Sequence, residues 1–170
     1  MVSIREGQLE FTFTDALEVF KFDDPQTHQF SDMKAVDFIV SFPAYYLFVE
    51  VKDPDQVIDA DPRSSQNLES FREKLESGTF EKSLKYKYRD SFLYQWASEK
   101  TDKPIKYIVL IEMRQLDSRA YQIWTDKMKR ILPVNGPTRW TRQIVDDALV
   151  VNMRKWNQIG EFGSVSRRIA

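Results

Sequence analysis

Asp37, Glu50 and Lys52, side chains able to do chemistry, sit inside the hydrophobic rhythm of one apolar stretch, "AVDFIVSFPAYYLFVEVKD" at 35–53. Ionic groups inside a strand cost free energy unless something compensates them. Two carboxylates beside an ammonium have the composition of an oxygen-ligand site for a hard divalent cation, which would cancel carboxylate repulsion. A hairpin centred between Pro43 and Ala44 sets Asp37 opposite Glu50, Ile39 opposite Phe48, and Val36 opposite Val51. Side chains alternate between faces along a strand. One face therefore carries Val36, Phe38, Val40, Leu47, Val49 and Val51 and must be core, while Asp37, Ile39, Phe48, Glu50 and Lys52 share the other. Directly opposed residues have Cβ atoms roughly 4.5–5.5 Å apart, so the two carboxylates would repel and Lys52 would offset only part of that. The plainer reading is a solvated hairpin end with a Glu50–Lys52 pair.

The elements that must position these residues follow from periodicity. "QLEFTF" (8–13) alternates as a strand, and "TDALEVFKF" after it reads as a short helix, with Asp15 and Glu18 at capping-box spacing. The polar segment 53–66 reads as a loop, and 67–77 as a short helix ended by Gly78. Residues 80–100 give the clearest helix, with Phe80, Leu84, Tyr88, Phe92 and Trp96 every four residues. "IKYIVLIEM" (105–113) is an apolar strand, and 117–132 a helix with Ile123, Trp124, Met128 and Ile131 inward. "DALVVN" (147–152) is a last strand, followed by a short helix before Gly160. This order predicts an α/β (α+β) domain over 1–170, a mixed sheet flanked by helices.

Composition narrows the chemistry. The 170 residues include no cysteine and one histidine, His28, which excludes disulfides, thiolate sites and cysteine nucleophiles and disfavours a His-based triad or zinc site. A metal would have oxygen ligands, which suits magnesium, manganese or calcium. The apolar runs are too short to span a bilayer and "MVSIREGQLEF" has no signal-peptide core, so a cytoplasmic protein without membrane contact is expected. A net charge of −1 gives no global support for nucleic-acid binding.

The pattern "VD" at 36–37, twelve residues, then "EVK" at 50–52, carried on an apolar hairpin, resembles the PD-(D/E)xK nuclease superfamily, the restriction-endonuclease-like fold. The resemblance implies an αβββαβ core over about 8–113, with 114–170 as a C-terminal extension. It also implies that Asp37, Glu50 and the Val51 carbonyl bind Mg2+ or Mn2+, and that Lys52 orients water and stabilises charge during phosphodiester hydrolysis. Many members place a further acid on the first helix; Glu18 would be that residue, with Glu10 behind it, whereas the plainer role for Glu18 is the helix cap. Val36 stands where the name-giving proline would be, and no QxxxY pattern of the RecB-like branch is present. Asp53, Asp55, Asp59 and Asp61 follow Lys52 and would repel a nucleic-acid backbone unless turned away or metal-bound.

Within "KSLKYKYR" at 82–89, Lys82, Lys85, Lys87 and Arg89 stand without an acid among them. Lys82, Lys85 and Arg89 share a helix face with Tyr86 by their spacing, which would suit phosphate contacts with little sequence reading. An ordinary solvated face is the alternative. Lys127, Lys129, Arg130, Arg139 and Arg142 are a less focused basic run, and Trp96, Trp124, Trp140 and Trp156 read as core. The leading expectation is a Mg2+-dependent (endo)deoxyribonuclease-type enzyme, DNA before RNA, compatible with a homodimer because cutting both strands needs two sites. The alternatives are a non-catalytic nucleic-acid- or protein-binding module with the same fold, and a small α/β protein whose motif is accidental, with Asp37 and Glu50 pointing apart.

Overall fold

The computed structural model describes residues 1–25, 32–54 and 63–167. These residues form eight strands and four helices. Strands β1 (Val2–Glu6) and β2 (Leu9–Phe13) make a hairpin. Strands β3 (Glu18–Lys21), β4 (Phe38–Ser41) and β5 (Tyr46–Lys52) form an antiparallel meander. Helices α1 (Arg63–Glu76) and α2 (Thr79–Ala97) carry the chain back to β6 (Ile105–Ile111), which runs parallel to β5. Helix α3 (Ser118–Ile131) leads to β7 (Asp147–Val151), parallel to β6. Helix α4 (Met153–Ile159) and β8 (Ser164–Arg167) return the chain to β2. The result is a five-stranded mixed sheet in the order β3-β4-β5-β6-β7 and a three-stranded sheet in the order β1-β2-β8.

Both faces of the larger sheet are covered, which is why β5 and β6 read as nearly continuous apolar runs. Ile39, Phe48, Tyr107, Val109 and Val150 meet Phe71, Phe80, Leu84, Tyr88, Tyr121 and Met128 of α1, α2 and α3. Phe38, Val40, Leu47, Val49, Ile108 and Leu110 meet Leu9, Phe11 and Phe13 of β2, Val165 of β8, and Trp156 of α4. Gly163 lets β8 approach β2: a Cβ there would lie 2.3 Å from the Thr12 carbonyl oxygen, and its φ of +89° disfavours any other residue.

The mixed sheet flanked by helices agrees with the expected class, and the β4–β5 register is the expected one from Phe38↔Val49 to Ser41↔Tyr46. Four local expectations are corrected. No helix precedes α1 among the described residues: Glu18–Lys21 pairs with Phe38–Ser41 as β3, so the leading helix of an αβββαβ core is replaced by a strand. Sheet pairing along β4 outweighs the local capping signal of Asp15 and Glu18. The four-residue stripe of α2 drifts round the helix, whose turn is 3.6 residues; Phe80, Leu84 and Tyr88 are buried, but Ser91 and Gln95 take the inner positions further on and Trp96 is 59% exposed. On α3, Tyr121, Thr125 and Met128 point inward instead of Ile123 and Ile131, which are exposed. Trp156 is buried and Trp124 packs at the core edge, while Trp140 is exposed with Trp96. His28 and Asp55, Asp59 and Asp61 lie outside the described residues.

Candidate functional site

The regular β4–β5 ladder stops one residue short of the acid that matters. The Asp37 N–H donates to the Val49 carbonyl (3.0 Å), one residue out of the register that holds from Phe38 onward. The Asp37 carbonyl accepts from the N–H groups of Phe22 (3.0 Å) and Asp23 (3.3 Å). Upstream, the chain is tied to α2 by Val36 N–H to Ser91 Oγ (3.0 Å) and Lys34 N–H to Asp90 Oδ2 (2.8 Å). This step breaks the face alternation: Val36 packs with Ile39 and Phe48 on the helix side, not with Phe38 and Val40 as its spacing implied. The Asp37 side chain then does what the backbone would have done, with Oδ2 accepting the Val51 N–H at 2.6 Å.

Glu50 is fully buried and Asp37 is 6% exposed. Their carboxylates do not point apart. Both reach one ammonium: Lys87 Nζ lies 2.7 and 2.9 Å from the two Glu50 oxygens and 3.6 Å from Asp37 Oδ1. Lys52 Nζ, a third exposed at its side chain, lies 2.5 Å from Glu50 Oε1 and donates to the Val51 carbonyl at 3.2 Å. Two carboxylates thus face two ammonium groups at the end of β5, and the buried charges are compensated within the chain.

Burial pushes the Glu50 carboxyl above its ordinary value; Asp37 adds to this, while Lys52 and Lys87 act against it. Burial also pulls the Lys87 ammonium down, but Glu50 and Asp37 outweigh it and leave Lys87 raised. The two directions conflict, since a raised Glu50 favours a proton where a raised Lys87 needs a charge. The ion-paired state is the one the geometry supports: both Glu50 oxygens accept from Lys87, as a carboxylate does and a carboxylic acid with one protonated oxygen does poorly.

Of the residues singled out from the sequence, Asp37, Glu50, Val51 and Lys52 come together. Glu18 does not join them. It lies opposite Ser41, whereas Lys21, at the other end of β3, is opposite Phe38 beside Asp37. Glu10 lies on β2 and pairs with Arg5 at 3.2 Å. The basic group on α2 is split. Lys82, Tyr86 and Arg89 are exposed and Lys85 is half-buried, its ammonium over the Tyr86 ring, but Lys87 turns into the acidic pair. Lys87 is therefore a site residue that its assignment to a phosphate-binding surface missed. The signal was present: it stands three residues after Leu84 and four before Ser91, both buried on the inner side of α2. Asp53 does not repel from the site mouth, because Arg167 holds it through two bonds of 2.8 and 2.9 Å.

The donors offered by Asp37, Glu50 and the Val51 carbonyl are all oxygen, as Mg2+ or Mn2+ prefers. They fit such an ion as a site of two protein carboxylates completed by water, because both carboxylates already converge on one positive charge. No group of three or more acidic, histidine or cysteine side chains suited to a metal occurs among the described residues. No helix among them is long and apolar enough to cross a membrane. No family model, curated protein or solved structure matches the chain.

Proposed function

We propose that this protein is a metal-dependent nuclease that hydrolyses phosphodiester bonds, DNA before RNA, of the PD-(D/E)xK type. One observation carries the reading: the buried carboxylates of Asp37 and Glu50 converge on Lys87 at the end of β5, with the Lys52 ammonium 2.5 Å from Glu50 Oε1. The antiparallel meander followed by a parallel β5–β6 step is compatible with that superfamily, although a strand stands in place of its first helix. Asp37, Glu50 and the Val51 carbonyl would hold Mg2+ or Mn2+, which when bound supplies a Lewis acid for the phosphoryl group. The Val51 N–H fixes the Asp37 carboxylate, and burial fixes Glu50, so both are preorganised. Lys52, partly in solvent beside Glu50, would orient the attacking water and offset negative charge as the P–O bond breaks.

The test is cleavage of plasmid, linear duplex and single-stranded DNA and of RNA with Mg2+ or Mn2+. Cleavage stopped by EDTA and by Lys52→Ala supports the reading; no cleavage of any substrate with either ion overturns it. A second reading, a binding module without catalysis, is favoured by one observation: Lys52 and Lys87 already balance the two carboxylates, so no ion is needed to neutralise them. Salt-dependent nucleic-acid binding without cleavage selects it.

A further inference from the structure

Lys87 occupies the point that a shared cation would take. Its Nζ touches both oxygens of Glu50 and lies 3.6 Å from Asp37 Oδ1. Among the described residues no other cationic group combines these contacts: Lys52 reaches Glu50 Oε1 and the Val51 carbonyl from the partly exposed side. With Asp37 and Glu50 ionised and both lysines charged, the cluster is neutral. A divalent ion added to it without loss of a lysine would leave two surplus positive charges in a poorly solvated space, where charge repulsion is least screened. An ammonium is a compact point charge on a flexible stem, so it can leave a position that a planar guanidinium fork would hold. Lys87 has somewhere to go: its side chain keeps 17% of its surface in solvent, and the Asp23 carboxylate, just after β3, also attracts it.

We propose that Lys87 is a resident counter-cation that a divalent ion must displace from between Asp37 and Glu50, so that metal entry and Lys87 withdrawal are one event. This rests on the metal reading of the site. The exchange lets the buried carboxylates fold without an ion and makes metal affinity lower than the donor set alone would provide. It also delivers a free ammonium to the mouth of the site when the metal arrives, where a phosphodiester oxygen would meet it.

The test is Mn2+ binding by calorimetry to the full chain and to Lys87→Met, with mass-spectrometric mapping of amine acylation at Lys87 in the wild-type chain. Lys87→Met is expected to bind Mn2+ at least tenfold more tightly, and wild-type Lys87 to acylate several-fold faster once Mn2+ is bound. Equal or weaker binding by a folded Lys87→Met overturns the exchange while leaving the metal site standing. If Lys87→Met does not fold, the wild-type chain still decides: Mn2+ bound without faster acylation at Lys87 also overturns it. If neither chain binds Mn2+ at millimolar concentration, the metal reading falls and the exchange falls with it.

Discussion

Two ionic arrangements flank the end of β5, and they are built differently. At Asp53, one carboxylate meets one guanidinium through two parallel bonds of 2.8 and 2.9 Å. That pair joins the chain just after Lys52 to β8, at the far end of the chain, and the planar fork of Arg167 suits a fixed bidentate contact. At Asp37 and Glu50, two carboxylates share two ammonium groups, and one of these, Lys87, serves both acids. Burial alone does not separate the two, since Asp53 and Glu50 are both shielded. The difference lies in stoichiometry and shape: a one-to-one fork is a clamp, whereas a shared point charge is what the proposed exchange requires. The first suits holding the fold, and the second is the one the proposed chemistry uses.

Substitutions can break or sharpen that contrast. The largest effect is expected on activity: Lys52→Ala should lower DNA cleavage by about 1,000-fold, while calorimetry still detects Mn2+. Arg167→Ala, at the other arrangement, should change cleavage only a few-fold. Next, Lys87→Ala should destabilise the metal-free protein by about 3 kcal/mol in urea titration, because it leaves Glu50 buried with Lys52 as its close partner. Adding Glu50→Gln to it should recover much of that loss, and a double-mutant cycle measures the coupling.

Arg167→Ala should cost about 2 kcal/mol by the same titration, below the range for a fully buried pair because the arginine is about a third exposed. No recovery by divalent ions is expected there, whereas Mn2+ should raise the melting temperature of Lys87→Ala. The smallest effect is with pH. The Lys87 ammonium is raised above its ordinary 10.5 in the fold, with burial opposing and Glu50 and Asp37 prevailing. Its contribution is therefore present below pH 10.5 and lost as pH rises through the folded value. Burial, with Glu161, raises Tyr45 to about 12, and its contribution is lost between pH 10.0 and about 12. Stability should fall on going from pH 9 to pH 11.5, and the Lys87 part of that fall should vanish in Lys87→Met.

Much of the hairpin was legible from local pattern. Alternation of apolar residues on either side of "SFPA" pins the Phe38–Val49 register, because a one-residue slip would turn every side chain to the wrong face. The same argument reached Asp37 and Glu50 as neighbours but not the step between them. That step depends on Phe22, Asp23 and Ser91, whose approach no local pattern encodes. The strand at Glu18–Lys21 has the local signature of a helix because capping spacing is a local signal, while the free edge of β4 that it pairs with is a tertiary one. Lys87 was partly legible: the inner face of α2 could be drawn from Leu84, Tyr88 and Ser91, but a basic cluster read as a surface obscured it.

The sequence by itself determined the β4–β5 hairpin, the succession of α1, α2, β6, α3, β7 and α4, and the gathering of Asp37, Glu50 and Lys52 at one end of a hairpin. It did so because side-chain periodicity and turn chemistry act over a few residues. Tertiary structure alone decided what compensates the two carboxylates. Lys87 comes from a helix thirty-seven residues beyond Glu50, and only the packing of α2 on the sheet brings its ammonium between them. The interaction that neutralises a buried charge depends on distance in space, and the fold sets that distance.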